Sequence, residues 1–239
     1  MADTGRPTRI GRVVDGVAER IPGLRERKKL RTRCTLIDVA AELCLRQGYD
    51  NTTVEQIAAS AEVSPRTFSR YFPTKEAVIG AIISDVAQSV AEELAAQPSD
   101  ITEYEAMLRA HLAAIRGDSA DGVPSANFKR MAALIQIVNS SASLAMSSIP
   151  FRHDPSAFPT VVETARRMGL PPDHDAVLMV LESWTVVMNT ATYGLGTPGQ
   201  PQIEPGIVCA RITAAYETFT RTWAPWSTGG QPPAGAPEP

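Results

Sequence analysis

Ser64, Arg66, Thr67, Ser69, Arg70 and Tyr71 fall within one short stretch, SPRTFSRYFPTKE, that ends on Lys75 and Glu76. Their chemistry is that of polyanion and base-edge recognition. Hydroxyls and a phenol bond phosphate oxygens, and a guanidinium takes the O6/N7 edge of guanine with two hydrogen bonds. Thr53, slightly upstream, adds another hydroxyl. Lys75 falls in the first turn of the helix expected after Thr74, where free backbone N–H groups and the positive helix end suit a phosphate clamp. A second set of residues is of another kind: Met107, His111, Met131, Leu134, Ile135, Asn139, Trp184, Met188 and Asn189. Together they suit a mostly apolar cavity with a few polar anchors. Taken singly, each is better accounted for by ordinary core packing.

Catalytic chemistry finds no foothold. The three histidines (His111, His153, His174) are scattered, and no G-x-S-x-G, H-E-x-x-H, P-loop or dinucleotide fingerprint occurs. Asp173-His174-Asp175 stand at a helix start, where neighbours point in different directions; Asp173 is expected as the N-cap rather than a metal ligand. Neither a metal nor a cofactor is expected. Cys34, Cys44 and Cys209 form no C-x-x-C pair and fit a reducing cytosol.

The elements that must position these residues are helical. Leu30, Cys34, Ile37, Ala40, Ala41, Cys44 and Leu45 recur at three-to-four spacing, up to a stop at Gly48. Thr53 with Gln56 makes a capping box for a helix over Val54–Ala61, and Ser64 caps a second over Pro65–Phe72 with proline in its first position. These two short helices around the turn Ala61-Glu62-Val63-Ser64 form a helix-turn-helix pattern, whose second helix lies in the major groove. Ile57, Ala58, Ala61, Val63, Phe68 and Phe72 are its expected packing residues. A long amphipathic helix follows from Thr74 to about Gln97. Further helices are expected over Ile101–Arg116, Ser125–Ser148, Pro155–Met168, Asp173–Tyr193 and Pro205–Trp223, with Gly169 as a stop. No run alternates with period two. The fold class is therefore all-α, an N-terminal three-helix helix-turn-helix head with a larger C-terminal helical bundle. The divisions are 1–24, a flexible extension; 25–75, the head; 76–224, the bundle; and 225–239, a Pro/Gly-rich tail expected to be disordered.

The chain's 239 residues carry a net charge of −3, which on average argues against a nucleic-acid partner. The average hides a partition. Residues 1–80 hold 14 cationic against 10 acidic residues, and residues 81–239 hold 9 against 16. A basic head on an acidic body reconciles the two. Arg6, Arg9, Arg12 and Arg20 belong to the extension, where a minor-groove arm and a solvated tail are both open readings. The N-terminus leads into no apolar run of signal-peptide length. Met131–Phe151 and Ser183–Ile203 lack formal charge for 21 residues each, yet they are too polar or too broken to span a bilayer. No membrane partner and a cytoplasmic location are expected.

The stretch from about Arg27 to Val86 resembles the DNA-binding head of the TetR (tetracycline-repressor) family of bacterial regulators. The matching residues are Ala40-Ala41, Gly48-Tyr49, Thr52-Thr53-Val54, Ile57-Ala58, Ala61, Val63-Ser64, Thr67-Phe68, Tyr71-Phe72 and Lys75-Glu76. The resemblance implies a homodimer, paired through the last two helices, that represses by binding a palindromic DNA operator and is released by a small, largely apolar effector. It places Thr53, Ser64, Arg66, Thr67, Arg70, Tyr71 and Lys75 at positions that commonly contact DNA. Ser69 stands where the family usually has an aromatic residue, and Glu62 where it usually has glycine. For the effector, the resemblance and the uncharged helices point to Met107, His111, Met131, Ile135, Asn139, Trp184 and Met188. A helical DNA-binding or adaptor protein without any effector is the alternative.

Overall fold

Short polar side chains open most of the helices. In the computed structural model, which describes residues 23–117, 124–141, 144, 154–197, 199 and 203–227 (224–227 as backbone only), nine α-helices and no strand occur among the described residues. They are α1 (Leu24–Gln47), α2 (Val54–Ser60), α3 (Pro65–Tyr71), α4 (Lys75–Ala95), α5 (Glu103–Arg116), α6 (Ala126–Ser140), α7 (Pro159–Met168), α8 (Asp175–Thr192) and α9 (Pro205–Ser227). Thr53, Ser64, Thr74, Thr102 and Ser125 each accept the backbone N–H three residues on. Each thereby satisfies a donor that the first helical turn leaves free. The Thr53–Gln56 capping box is complete in both directions. Gly48 and Gly169 end α1 and α7 with positive φ, as a left-handed C-terminal stop requires.

Some boundaries differ from the sequence expectation. Pro155–Met168 is a single 3-10 turn, Pro155–Ala157, followed by α7. Pro159 is the cause, because a residue before proline is pushed out of the helical region, and Phe158 is extended (φ −101°, ψ 118°). At α8 the N-cap is His174, not Asp173: the imidazole Nδ1 accepts the Ala176 N–H at 3.1 Å. The His174 N–H bonds Pro171 O in a turn, so Asp173 lies one residue too early to cap. The helix expected to Ser148 ends at Ser140. The last helix also runs past the expected Trp223 to Ser227, through the first three residues of the tail expected from 225, while the arm arginines, His153 and residues 228–239 lie outside the described residues.

Two apolar clusters hold the helices together. One gathers Leu36, Ile37, Ala40, Leu43, Cys44, Tyr49, Ile57, Ala58, Phe68 and Phe72 with Val78, Ile79, Ala81 and Ile82 of α4. The three-helix head thus packs onto the first half of α4. Ile57, Ala58, Phe68 and Phe72 are buried as expected, whereas Ala61 and Val63 are half-buried at its edge. The second cluster runs from Ala87 of α4 through α5, α6, α7, α8 and α9. Ile137 of α6 is fully buried in the head's cluster, while Met131 and Ile135 of the same helix belong to the body's. One helix therefore takes part in both cores.

Polar ties fix the middle and the far end of α4. At its midpoint, Asp85 pairs with Arg130 of α6 at 3.3 Å and lies 4.0 Å from Arg33 of α1. Beyond its last turn, the almost fully buried Arg167 of α7 donates to the carbonyls of Gln97 and Pro98 and to the Glu103 carboxylate. Buried guanidinium hydrogen bonds of this kind lock a connection, since losing one partner strands a charge.

Candidate nucleic-acid interface and interior cavity

The seven-residue α3 divides its side chains cleanly. Phe68 and the following Phe72 are buried, with ring centroids 5.9 Å apart, and fix the helix against α1, α2 and α4. On the opposite side Arg66, Ser69 and Arg70 are exposed. Ser64 is exposed at the N-terminus, and its hydroxyl caps Thr67 N–H at 3.1 Å and shares a 3.0 Å contact with the Thr67 hydroxyl. Arg66 makes no hydrogen bond or ion pair with any described residue, and Arg70 only stacks over Tyr71, 5.2 Å from the ring centroid. The Ser69 hydroxyl donates back to the Pro65 carbonyl. Thr53 is exposed at the start of α2. Thr53, Ser64, Arg66, Ser69 and Arg70 are thus exposed on one small unit, with Thr67 and Tyr71 half-buried beside them.

Two features of the head depart from a simple polar surface. Glu62 has φ +55°, the one positive value at a non-glycine among the described residues. A left-handed conformation costs an L-residue about 1–2 kcal/mol, so the turn is held by the packing on either side. Lys75 is turned inward: its ammonium donates to the carbonyls of Tyr49 at 2.8 Å and Thr52 at 2.9 Å, and lies 3.9 Å from the centroid of the Tyr49 ring. Two of its three donors are therefore spent inside the protein. Next to it the Tyr49 hydroxyl donates to the Glu76 carboxylate at 2.7 Å. That bond pulls the Glu76 carboxyl below its ordinary value, while burial and then the bond to the carboxylate push the phenol up. Lys75 and Glu76 together pin the loop between α1 and α2 to α4.

Sequence reasoning passed over the first turns of α1. Arg25, Arg27, Lys28, Lys29 and Arg31 are all exposed there. The signal was the run of cations itself, which was counted as net charge without being placed on a helix.

A cavity of about 280 Å³ lies between α4, α5, α6 and α8, close to the small end of ligand-sized pockets. It is lined by Val86, His111, Met131, Leu134, Ile135, Val138, Asn139, Met188, Asn189, Thr192 and Tyr193. The expected residues His111, Met131, Ile135, Asn139 and Met188 meet there. Met107 and Trp184 do not: both are buried in the body's core. Their actual role is to set His111. Its Nδ1 lies 2.8 Å from the Met107 carbonyl, so it must carry a proton, and its Nε2 accepts the Trp184 indole N–H at 3.2 Å. Both contacts require the neutral ring, and burial pushes its pKa down to about 4. Asn139 spends both amide hydrogens on the carbonyls of Thr192 and Leu195, fastening α6 to the end of α8. Among the described residues no group of three His, Cys, Asp or Glu side chains is arranged to hold a metal, and no helix is long and apolar enough to cross a membrane.

Residues 36–82 match the family model described as bacterial regulatory proteins, tetR family. Over 118 residues the chain is 43% identical to the HTH-type transcriptional regulator TcmR of Streptomyces glaucescens. That alignment covers 48% of this chain and 52% of TcmR, so the chain spans about half the length of this curated relative. Among solved structures, a SmeT–triclosan complex aligns with a TM-score of 0.48 at 17% identity, covering 87% of this chain and 98% of that one. NalD, the secondary repressor of the MexAB-OprM multidrug efflux pump in Pseudomonas aeruginosa, aligns with a TM-score of 0.41 at 16% identity, covering 82% and 86%.

Proposed function

We propose that this chain is a helix-turn-helix transcriptional regulator of the kind its match to the tetR family of bacterial regulatory proteins and its 43% identity to TcmR support, and that it acts as a homodimeric repressor. It binds a palindromic operator through α3 and is released by a small, largely apolar effector. The observation that carries the DNA-reading part is the pair Arg66 and Arg70, exposed and without ion-pair partners among the described residues, on a helix whose other face is locked by Phe68 and Phe72. Arg66, Arg70, Ser64 and Thr67 serve base edges and nearby phosphates. Thr53, Ser69, Tyr71 and the α1 cations Arg25–Arg31 serve the backbone. Lys75 contributes its third donor at most, and mainly orders the loop between α1 and α2.

The effector part is supported by the cavity and by its connection to the head. Of the lining residues α4 supplies only Val86, whereas α6 supplies Met131, Leu134, Ile135, Val138 and Asn139. Leu134 also packs against the head's cluster, beside Ile137. A ligand that shifts α6 therefore moves the head directly, with α4 following through the Asp85–Arg130 pair. A coupling of about 1–3 kcal/mol would change operator affinity by 5–150-fold.

Selection from a random DNA-duplex pool by the full-length protein tests the reading. A palindromic site should be enriched, and Arg66→Ala or Arg70→Ala should relax preference at one position per half-site at a cost of about 1–3 kcal/mol. Failure to enrich any sequence over non-specific duplex would sink the operator reading.

A further inference from the structure

We infer that the body cavity selects a neutral, largely apolar ligand whose carbonyl or hydroxyl is recognised by Asn189. This rests on the reading of that cavity as the effector site. The first ground is charge. None of the described lining residues is Asp, Glu, Lys or Arg, and His111 is fixed as the neutral ring by the acceptor on one nitrogen and the donor on the other. Arg211 caps the end of α8 through the Tyr193 carbonyl but is not among the lining residues. An ionised ligand would leave water for a site without a counter-charge, a step that costs several kcal/mol and that a neutral ligand avoids.

The second ground is the ledger of hydrogen bonds. The polar lining groups are His111, Asn139, Asn189, Thr192 and Tyr193. Both His111 nitrogens and both Asn139 amide hydrogens are committed to protein partners, and the Thr192 hydroxyl donates to the Met188 carbonyl. Tyr193 is 79% exposed. Asn189 is half-buried, and its side-chain amide bonds to no described residue. It is the partner held ready for a ligand's polar group, and the apolar remainder of the wall takes the rest of the ligand. Recognition by a dedicated amide discriminates more strongly than apolar contact does, because a ligand without the matching group leaves the amide desolvated and unpaired.

Two dyes isolate charge. N-phenyl-1-naphthylamine and 8-anilino-1-naphthalenesulfonate share a ring skeleton and differ by the sulfonate. Titrated into the full-length protein, the neutral dye should bind about tenfold or more tightly than the anion. A third probe, the neutral ketone 6-propionyl-2-dimethylaminonaphthalene, isolates the amide. Asn189→Leu should weaken it about fivefold while leaving N-phenyl-1-naphthylamine within about twofold. Asn189→Lys, which supplies a counter-charge in the wall, should turn the preference toward the sulfonate and thereby tie the signal to this cavity. Equal binding of the two matched dyes, an unchanged dye preference in Asn189→Lys, or an unchanged ketone affinity in Asn189→Leu overturns the inference while leaving an effector cavity standing. Saturable binding of none of the three overturns the effector reading as well.

Discussion

Lys75 and His111 show how a side chain's bonding partners decide what it does. A lysine in the first turn of a helix, next to a recognition helix, reads from sequence as a phosphate clamp. Here the ammonium instead holds the carbonyls of Tyr49 and Thr52. Charge-assisted bonds to partly buried carbonyls contribute about 1.5–3 kcal/mol. Lys75→Ala should therefore lower the unfolding free energy by roughly that amount, measured by urea titration, and weaken operator binding chiefly through a disordered loop. A variant that unfolds like the parent but loses one unit of salt slope would return the residue to the phosphate role. His111 makes a prediction in pH. Its folded pKa is pushed down to about 4 from the ordinary 6.5, so between those values the unfolded chain binds a proton that the folded chain does not. Stability from this group is complete above pH 6.5 and is lost as pH falls toward 4, by roughly 3 kcal/mol in all. Urea midpoints from pH 7 to pH 4.5 should fall less steeply for His111→Gln, which can still accept from Trp184; parallel curves for the two proteins would contradict the assignment.

At the scale of helices, α6 is the element whose role sequence least reveals. Ile137 has no accessible surface and lies in the head's cluster, although it belongs to a helix of the body. Ile137→Ala should cost about 2–4 kcal/mol. In hydrogen exchange the amides of α1 and α3 should lose protection together with those of α6; a change confined to the body helices would show that α6 does not support the head. What was legible beforehand was local. The caps at Thr53, Ser64 and Thr74 follow from side chains that reach only three residues along the chain, and Phe68 and Phe72 follow from helical spacing within one element. The split at Phe158 was also written locally, in the proline that follows it. Longer-range facts were not legible. Nothing near Asn139 announces that its amide fastens the end of α8, and nothing near Met107 or Trp184 separates a cavity wall from a support behind it. Five of the seven proposed cavity residues meet because uncharged helices pack together; which side chains face the gap depends on packing angles that no single segment carries.

At the scale of the whole molecule, the described residues include an apolar surface that the two cores leave uncovered. Along α8, Met179 and Val186 are 67% and 61% exposed, and their spacing of seven sets them on one face, with Ser183 between them; Tyr193, just past the helix end, is 79% exposed. On α9 the residues Ala210 and Ala214 are exposed and small enough to admit a close neighbour, and Trp223 is exposed near its end. Large side chains grouped in this way mark an interaction surface more often than chance exposure. A two-fold axis running past α8 would set each Val186 near its own copy, the isologous arrangement of a symmetric dimer. Val186→Glu tests this with little risk to the fold, because the side chain is already in water. Two carboxylates brought together at the axis should shift the protein to a monomer in light scattering. Each head would keep its own α3 and α1 cations, so binding to a single half-site should stay within about twofold. Affinity for the full palindrome should instead fall by about 10²–10⁴, the part of binding supplied by holding the second head near its half-site rather than by any new contact. A monomer that still bound the palindrome at full strength would mean the two heads act independently, and a persistent dimer would place the interface on a different face.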